Sequence, residues 1–224
     1  MNWRTICVFD FETDGVDAET CNPVQVACMA IDPYTLELVP GSEFCSDMKP
    51  NGIDDLPTFT SDQKRMSTIN FHAKNGKCSV DDVLERWKNS PAPDTVWKNF
   101  SQHVNKYNPK RTQKGAPIAC GANIVKFDLI IAKRLNEQYK IGRMFNYDTR
   151  TVDLTPLFFH TLLWDNEVSS YSMDNMRKYF GQKNTNSHDA LQDVKDEAEF
   201  VIRYLRFFKN VFEKGNNPYK GCMK

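Results

Sequence analysis

Asp10 and Glu12 stand two residues apart in VFDFETDG, residues 8–15. A strand sends side chains two apart to the same face. The two carboxylates therefore project together beside the line of Ile6 and Val8, while Cys7, Phe9 and Phe11 turn the other way. Like charges held about 4 Å apart repel by about 4 kcal/mol at an effective dielectric of about 20. The pair thus either ends in solvent or shares a cation, and hard oxygen donors suit Mg²⁺ or Mn²⁺. A D-x-E pair alone does not separate these outcomes, because the pattern is common in acidic chains.

Two further stretches carry candidate groups. Asp128, in CGANIVKFDLIIAKRL, falls where a strand gives way to a helix, the edge at which α/β sheets bind ligands. The helix dipole equally favours an ordinary acid there. In NTNSHDALQDV, residues 184–194, Ser187 reads as a helix N-cap with His188 in the first turn. Asp189, Asp193 and Glu197 then recur at i, i+4 and i+8. On a helical wheel Asp193 and Glu197 both lie beside or within the apolar stripe, where an acid needs a partner. The wheel does not choose between them, and His188 reads either as a reagent or as part of a solvated helix start.

The surrounding pattern supplies elements to position these groups. TICVFDFE and PVQVACMAID are rich in β-branched and aromatic residues, and GSEFCSD reads as a third strand of a meander. Residues 47–79 read as polar loop with short helices. Ser79 caps an expected helix with Val80, Val83, Leu84 and Trp87 on one side. Asp94 caps another with Val96, Trp97, Phe100 and Val104 inward. PIACGANI reads as a buried strand, KFDLIIAKRLNEQY as a helix, YDTRTVDLTPLFFH as strand then helix, and SMDNMRKYFG as a short helix closed by Gly181. A last helix is expected from about Ser187 to Phe212 on apolar residues at helical spacing. Leading strands followed by alternating helices and strands predict a mixed α/β sheet flanked by helices.

Composition narrows the function classes. With 224 residues, 40% hydrophobic and 12% aromatic, the chain is expected to form one globular domain. Seven cysteines without a CxxC or Cys/His cluster read as reduced, mostly buried thiols. The opening residues show no signal-peptide pattern and TPLFFHTLLW is too short to span a bilayer, so a soluble, cytoplasmic protein is expected. The formal net charge is zero, yet residues 1–63 carry twelve acidic and two basic side chains, whereas residues 98–143 carry ten basic and two acidic. That asymmetry suits carboxylates on one side of a site and cations on another, and equally suits ordinary solvated charge.

Taken in order, D-x-E on the first strand, N-x-x-x-F-D after a central strand and H-x-x-x-x-D opening the last helix resemble the DEDDh family of DnaQ-like 3′–5′ exonucleases. The resemblance runs over about residues 5–212 and takes in TVDLTPLFF and SMDNMRKYFG as softer matches. It implies a ribonuclease H-like fold, with three leading antiparallel strands, then parallel strands, across a single domain of residues 1–224. It also implies Asp10, Glu12, Asp128 and Asp193 as metal-binding acids, so that of the two acids on the last helix it selects Asp193, and His188 as general base. The sequence departs from the family in the longer polar stretch 45–78 and in Ala122 preceding Asn123, where a histidine often stands.

The chemistry implied is phosphodiester hydrolysis with two divalent ions, Mg²⁺ or Mn²⁺, about 3.5–4 Å apart. Asp10 would lie between them, with Glu12 and Asp193 toward one and Asp128 toward the other. His188 would take the proton of water near neutral pH. Thr13, Asn123 and Lys126 are the expected substrate contacts, together with Phe11 and Phe127 as stacking residues, although both aromatics also suit a core. The expected partner is nucleic acid with a free 3′ end, single-stranded DNA in the first place and RNA in the second, in association with a polymerase or replication protein. A non-catalytic nucleic-acid-binding module of the same fold is the rival class.

Overall fold

The computed structural model describes residues 4–108, 112, 115–145, 151–182 and 189–213. Its centre is β1 (Ile6–Thr13), paired antiparallel with β2 (Pro23–Asp32) and parallel with β5 (Ile118–Gly121), which pairs parallel with β6 (Thr151–Asp153). The outer edge of β2 carries two short antiparallel strands, β3 (Glu37–Leu38) at one end and β4 (Phe44–Asp47) at the other. The sheet is therefore mixed as expected, with an extra two-residue strand, β3, that has too few residues to give a periodic signal. Pairing of β1 with β5 ends at Val8 opposite Cys120. Beyond that point β1 continues alone on this side, and the carboxyl ends of the parallel strands open a crevice next to Asp10 and Glu12.

The alternation in β1 separates two cores. Cys7, Phe9 and Phe11 face α4 (Pro93–Asn105) and α5 (Asp128–Tyr139), against Trp97, Phe100, Ile131 and Leu135. Phe9 stacks on Phe145 with ring centroids 4.7 Å apart, and Trp97 on Phe100 at 4.9 Å. Ile6 and Val8 face α6 (Leu154–Leu162), α7 (Met173–Tyr179) and α8 (Ala190–Glu213), against Leu154, Phe158, Met176, Val194, Ala198 and Val201. A satellite core of Val24, Ile53, Phe59, Ile69, Val83 and Trp87 joins the sheet edge to α1 (Leu56–Ser61), α2 (Gln63–Gly76) and α3 (Val80–Asn89).

Several local expectations change. The stretch read as loop with short helices contains the 14-residue α2, which buries only Ile69, His72 and Ala73. Three inward residues are too few for a visible periodic stripe, and the helix depends on the Asp62 carboxylate, which accepts from the Lys64 and Arg65 amides. Asp94 does not cap α4. Ala92 holds that position without a side-chain bond, Pro93 opens the helix, and Asp94 pairs with Lys98 at 3.2 Å. Ser79 caps α3 as expected and forms a reciprocal capping box with Asp82. The described part of the last helix starts at Ala190, where the Asp189 carboxylate accepts from the Leu191 and Gln192 amides at 3.1 Å each, and Ser187, the expected cap, lies outside the described residues. Gly181 adopts φ 70° just after α7, a left-handed conformation that glycine takes without strain. Cys7, Cys21, Cys28 and Cys120 are buried free thiols, while Cys45 and Cys78 are free and exposed. Among the described residues no helix is long and apolar enough to cross a membrane.

Candidate functional site

Asp10 and Glu12 leave β1 on one face, as their spacing requires, and α8 brings Asp193 to them. One carboxylate oxygen from each of the three lies within 4.8 Å of the others. Asp128 joins from the start of α5, where it is 3% exposed and its Oδ1 accepts from the Phe11 amide at 3.1 Å. That bond fixes Asp128 against the peptide between Asp10 and Glu12, so two segments 117 residues apart share one anchor. The Asn123 amide donates to Asp153 Oδ1 at 3.0 Å and the Val125 amide to Asp153 Oδ2 at 3.3 Å. Asn123 itself adopts φ 56°. The turn that presents Asp128 is thus tied to the end of β6.

Two side chains place α8 on the sheet. Gln25, opposite Glu12 in the β1–β2 ladder, accepts through Oε1 from the Ala190 amide at 2.9 Å. Arg177 of α7 is buried and reaches three acids. Its Nη2 donates to Asp193 Oδ1, its Nε to Asp196 Oδ2 at 2.7 Å and its Nη1 to Asp174 Oδ1 at 3.2 Å. Local sequence pattern does not reveal this cation, because α7 and α8 meet only in the folded chain. Glu197 also faces the site. It is 3% exposed, its Oε1 accepts from the Ala122 amide at 3.1 Å, and its Oε2 is buried without a hydrogen-bond partner. Asp193 and Glu197, between which the helical wheel could not decide, both point inward.

A cleft of about 590 Å³ lies over Asp10, Glu12, Asp128 and Asp193. Of the expected substrate contacts, Phe11, Thr13, Asn123 and Phe127 line it. Phe11 is only 4% exposed and its ring packs on Trp97 with centroids 5.7 Å apart, so it is wall rather than stacking surface. Phe127 is half-buried against the α5 core, and Lys126 is exposed on the turn before α5. The far wall is α2, which contributes Ser67, Thr68, Phe71 and His72, residues to which the sequence reading assigned no role. His72 Nε2 lies 2.9 Å from the Thr13 carbonyl, which can only accept, so Nε2 carries the hydrogen. Nδ1 then faces Glu12 Oε2 at 3.9 Å. His188 lies outside the described residues. In the basic block, Lys98, Lys140 and Arg143 gather around a separate hollow of about 510 Å³ at the opposite end of α5 from Asp128.

The electrostatics demand a counter-charge. Burial, followed by Asp128, Glu197, Glu12 and Asp193, pushes Asp10 well above the ordinary carboxylate range. Burial and then Asp193 raise Glu12 to about 8. Burial raises Asp128 to about 7 against the opposing pull of the Phe11 amide. Burial and then Asp128 raise Glu197 well above its usual value. Each acid resists ionisation first because it is buried, and Asp10, Glu12 and Glu197 also because other acids are close. A divalent cation removes that resistance, and an all-oxygen donor set with an unpartnered buried oxygen beside it fits Mg²⁺ or Mn²⁺.

No family model and no curated protein matches the chain by sequence. Solved structures match it by fold. E. coli exonuclease I bound to a dT13 oligonucleotide superposes with a TM-score of 0.64 at 16% identity, over 94% of this chain and 44% of that one. Cell-death related nuclease 4 superposes with a TM-score of 0.63 at 16% identity, over 92% of this chain and 64% of that one. A 3′-exonuclease that recognises the 3′ end of the histone mRNA stem-loop gives a TM-score of 0.60 at 14% identity, over 91% of this chain and 82% of that one. The chain thus spans less than half the length of exonuclease I. The mixed sheet expected from the motifs is the fold these nucleases share with it.

Proposed function

We propose that this chain is a metal-dependent 3′–5′ exonuclease that hydrolyses single-stranded DNA from a free 3′ end and releases 5′-mononucleotides. The observation that carries the reading is the convergence of Asp10, Glu12 and Asp193 within 4.8 Å, with Asp128 anchored on the peptide between the first two. Two divalent ions, when bound there, supply an activated water and neutralise charge on the departing 3′ oxygen. The chain's own residues do the rest. Asp10, Glu12, Asp128 and Asp193 hold the ions. The Phe11 amide and Arg177 keep Asp128 and Asp193 aimed. His188 takes the proton of the attacking water. Phe127, Phe71 and Thr68 flank the terminal nucleotide in the cleft, and Thr13, Asn123 and Lys126 contact its phosphates and sugar.

A second reading within the enzymes is an exoribonuclease. The match to the histone mRNA exonuclease favours it, since that protein is covered over most of its length. Choice between sugars depends on how the site meets the 2′ hydroxyl. The test is digestion of end-labelled single-stranded DNA, duplex DNA and RNA in Mg²⁺, with and without EDTA. A metal-dependent ladder receding from the 3′ end of one substrate is expected, and digestion unimpaired by EDTA would overturn the reading.

A further inference from the structure

Asp10 and Asp193 stand between two hollows. The larger is the cleft that also exposes Glu12 and Asp128. The smaller, of about 300 Å³, lies between β1, α7 and α8 and is lined by Arg177 and Glu197 as well as by Asp10 and Asp193. Glu197 is a buried carboxylate with one oxygen committed and one free. Ala122 donates to Oε1, whereas Oε2 has no donor and sits 3.4 Å from where a Cβ on Gly121 would stand. A buried carboxyl oxygen left without a hydrogen-bond partner costs more than a hydrogen bond returns. The oxygen therefore calls for a donor from within the hollow. Arg177 serves Asp193, Asp196 and Asp174.

We propose that Glu197 is a fifth carboxylate of the metal centre, a positioning residue whose Oε2 accepts from the hydration shell of the cation held by Asp10 and Asp193. Three facts carry this. Glu197 lines the same hollow as those two acids without belonging to the trio whose oxygens converge. The hollow has room for water. Mg²⁺ also retains several waters when protein carboxylates bind it. The proposal rests on the metal-dependent reading above.

The test compares Glu197→Gln with Asp10→Asn by calorimetric titration of Mn²⁺ and by thermal denaturation of the metal-free proteins. Glutamine keeps an oxygen for the Ala122 amide and is thereby forced to turn an NH₂ group, which cannot accept, toward the hollow. Glu197→Gln is expected to bind Mn²⁺ at least about tenfold more weakly, the ordinary loss when an outer partner of a metal site is removed. Its metal-free melting temperature is expected to match or exceed that of the wild type, because one of several crowded acids is neutralised. A wild-type Mn²⁺ isotherm overturns the proposal. So does a lowered metal-free melting temperature, which would make Glu197 a structural tie between α8 and β5. Asp10→Asn separates the two readings. It is expected to lose Mn²⁺ binding whatever Glu197 does, and a wild-type isotherm in that variant would overturn the metal centre itself.

Discussion

Glu12 and Asp128 keep their protons to about pH 8 and about pH 7 in the metal-free protein, because burial and the neighbouring acids disfavour their charged forms. A cation must displace those protons, so metal affinity should climb between about pH 6 and pH 9 and binding should release protons. Mn²⁺ titrations in buffers of different ionisation enthalpy measure both, and an affinity flat across that range would contradict the proton-holding site. His188 carries a separate expectation. If it moves only a proton, His188→Ala keeps the Mn²⁺ isotherm while single-turnover cleavage falls by about 10²–10⁴-fold and loses the acidic limb of its pH profile. Cleavage at the wild-type rate would assign the proton elsewhere. His72, which faces Glu12 from α2, is the histidine that lies against the acids in the described structure.

At the scale of elements, the site depends on how α7 and α8 meet. Arg177 is 4% exposed at its side chain and binds Asp193 and Asp196, themselves largely buried, so each would be left uncompensated without it. Removing one partner of a buried charge pair costs about 3–5 kcal/mol. Arg177→Met should lower unfolding stability in urea by about that amount and, by freeing Asp193 to move, weaken Mn²⁺ binding as well. A loss below about 1 kcal/mol would mean that water replaces the guanidinium. The same junction explains a limit of helical periodicity. The wheel placed Asp193 and Glu197 correctly near the apolar stripe, but their partners Arg177, Ala122 and Asp10 come from α7, the turn after β5 and β1.

At the scale of the whole molecule, the clustered acids oppose the fold that collects them. A carboxylate whose folded pKa is raised contributes most to stability below its unfolded pKa, and that contribution is lost as pH rises through the folded value. Glu12 rises from 4.5 to about 8 and Asp128 from 3.8 to about 7. Metal-free protein should therefore lose stability between about pH 4 and pH 8, by up to about 1.4 kcal/mol per pH unit for each proton held only by the folded state. Saturating Mg²⁺ should flatten that decline, since a ligand of the native state stabilises it by mass action. Melting temperatures measured across this range with EDTA and with Mg²⁺ check both. A metal-free protein that becomes more stable toward pH 8 would show that the acids are solvated rather than crowded.

The period of two in β1 was enough to put Asp10 and Glu12 on one face and Phe9 and Phe11 on the other, because strand geometry is local. Helical spacing likewise defined most of α8, the leading strands followed by alternating helices and strands indicated the mixed sheet, and the family resemblance singled out Asp10, Glu12, Asp128 and Asp193 as expected metal-binding acids. Local pattern could not find α2, whose three inward residues make no stripe, nor the roles of His72, Arg177 and Glu197. Each of these acts through a partner far along the chain: His72 on Thr13, Arg177 on Asp193 and Glu197 on Ala122. Residue type and spacing determine which side chains leave an element together. Which charges meet, which oxygen stays without a donor and how far an acid resists ionisation are set by burial and by distances between elements, and those exist only once the chain has closed.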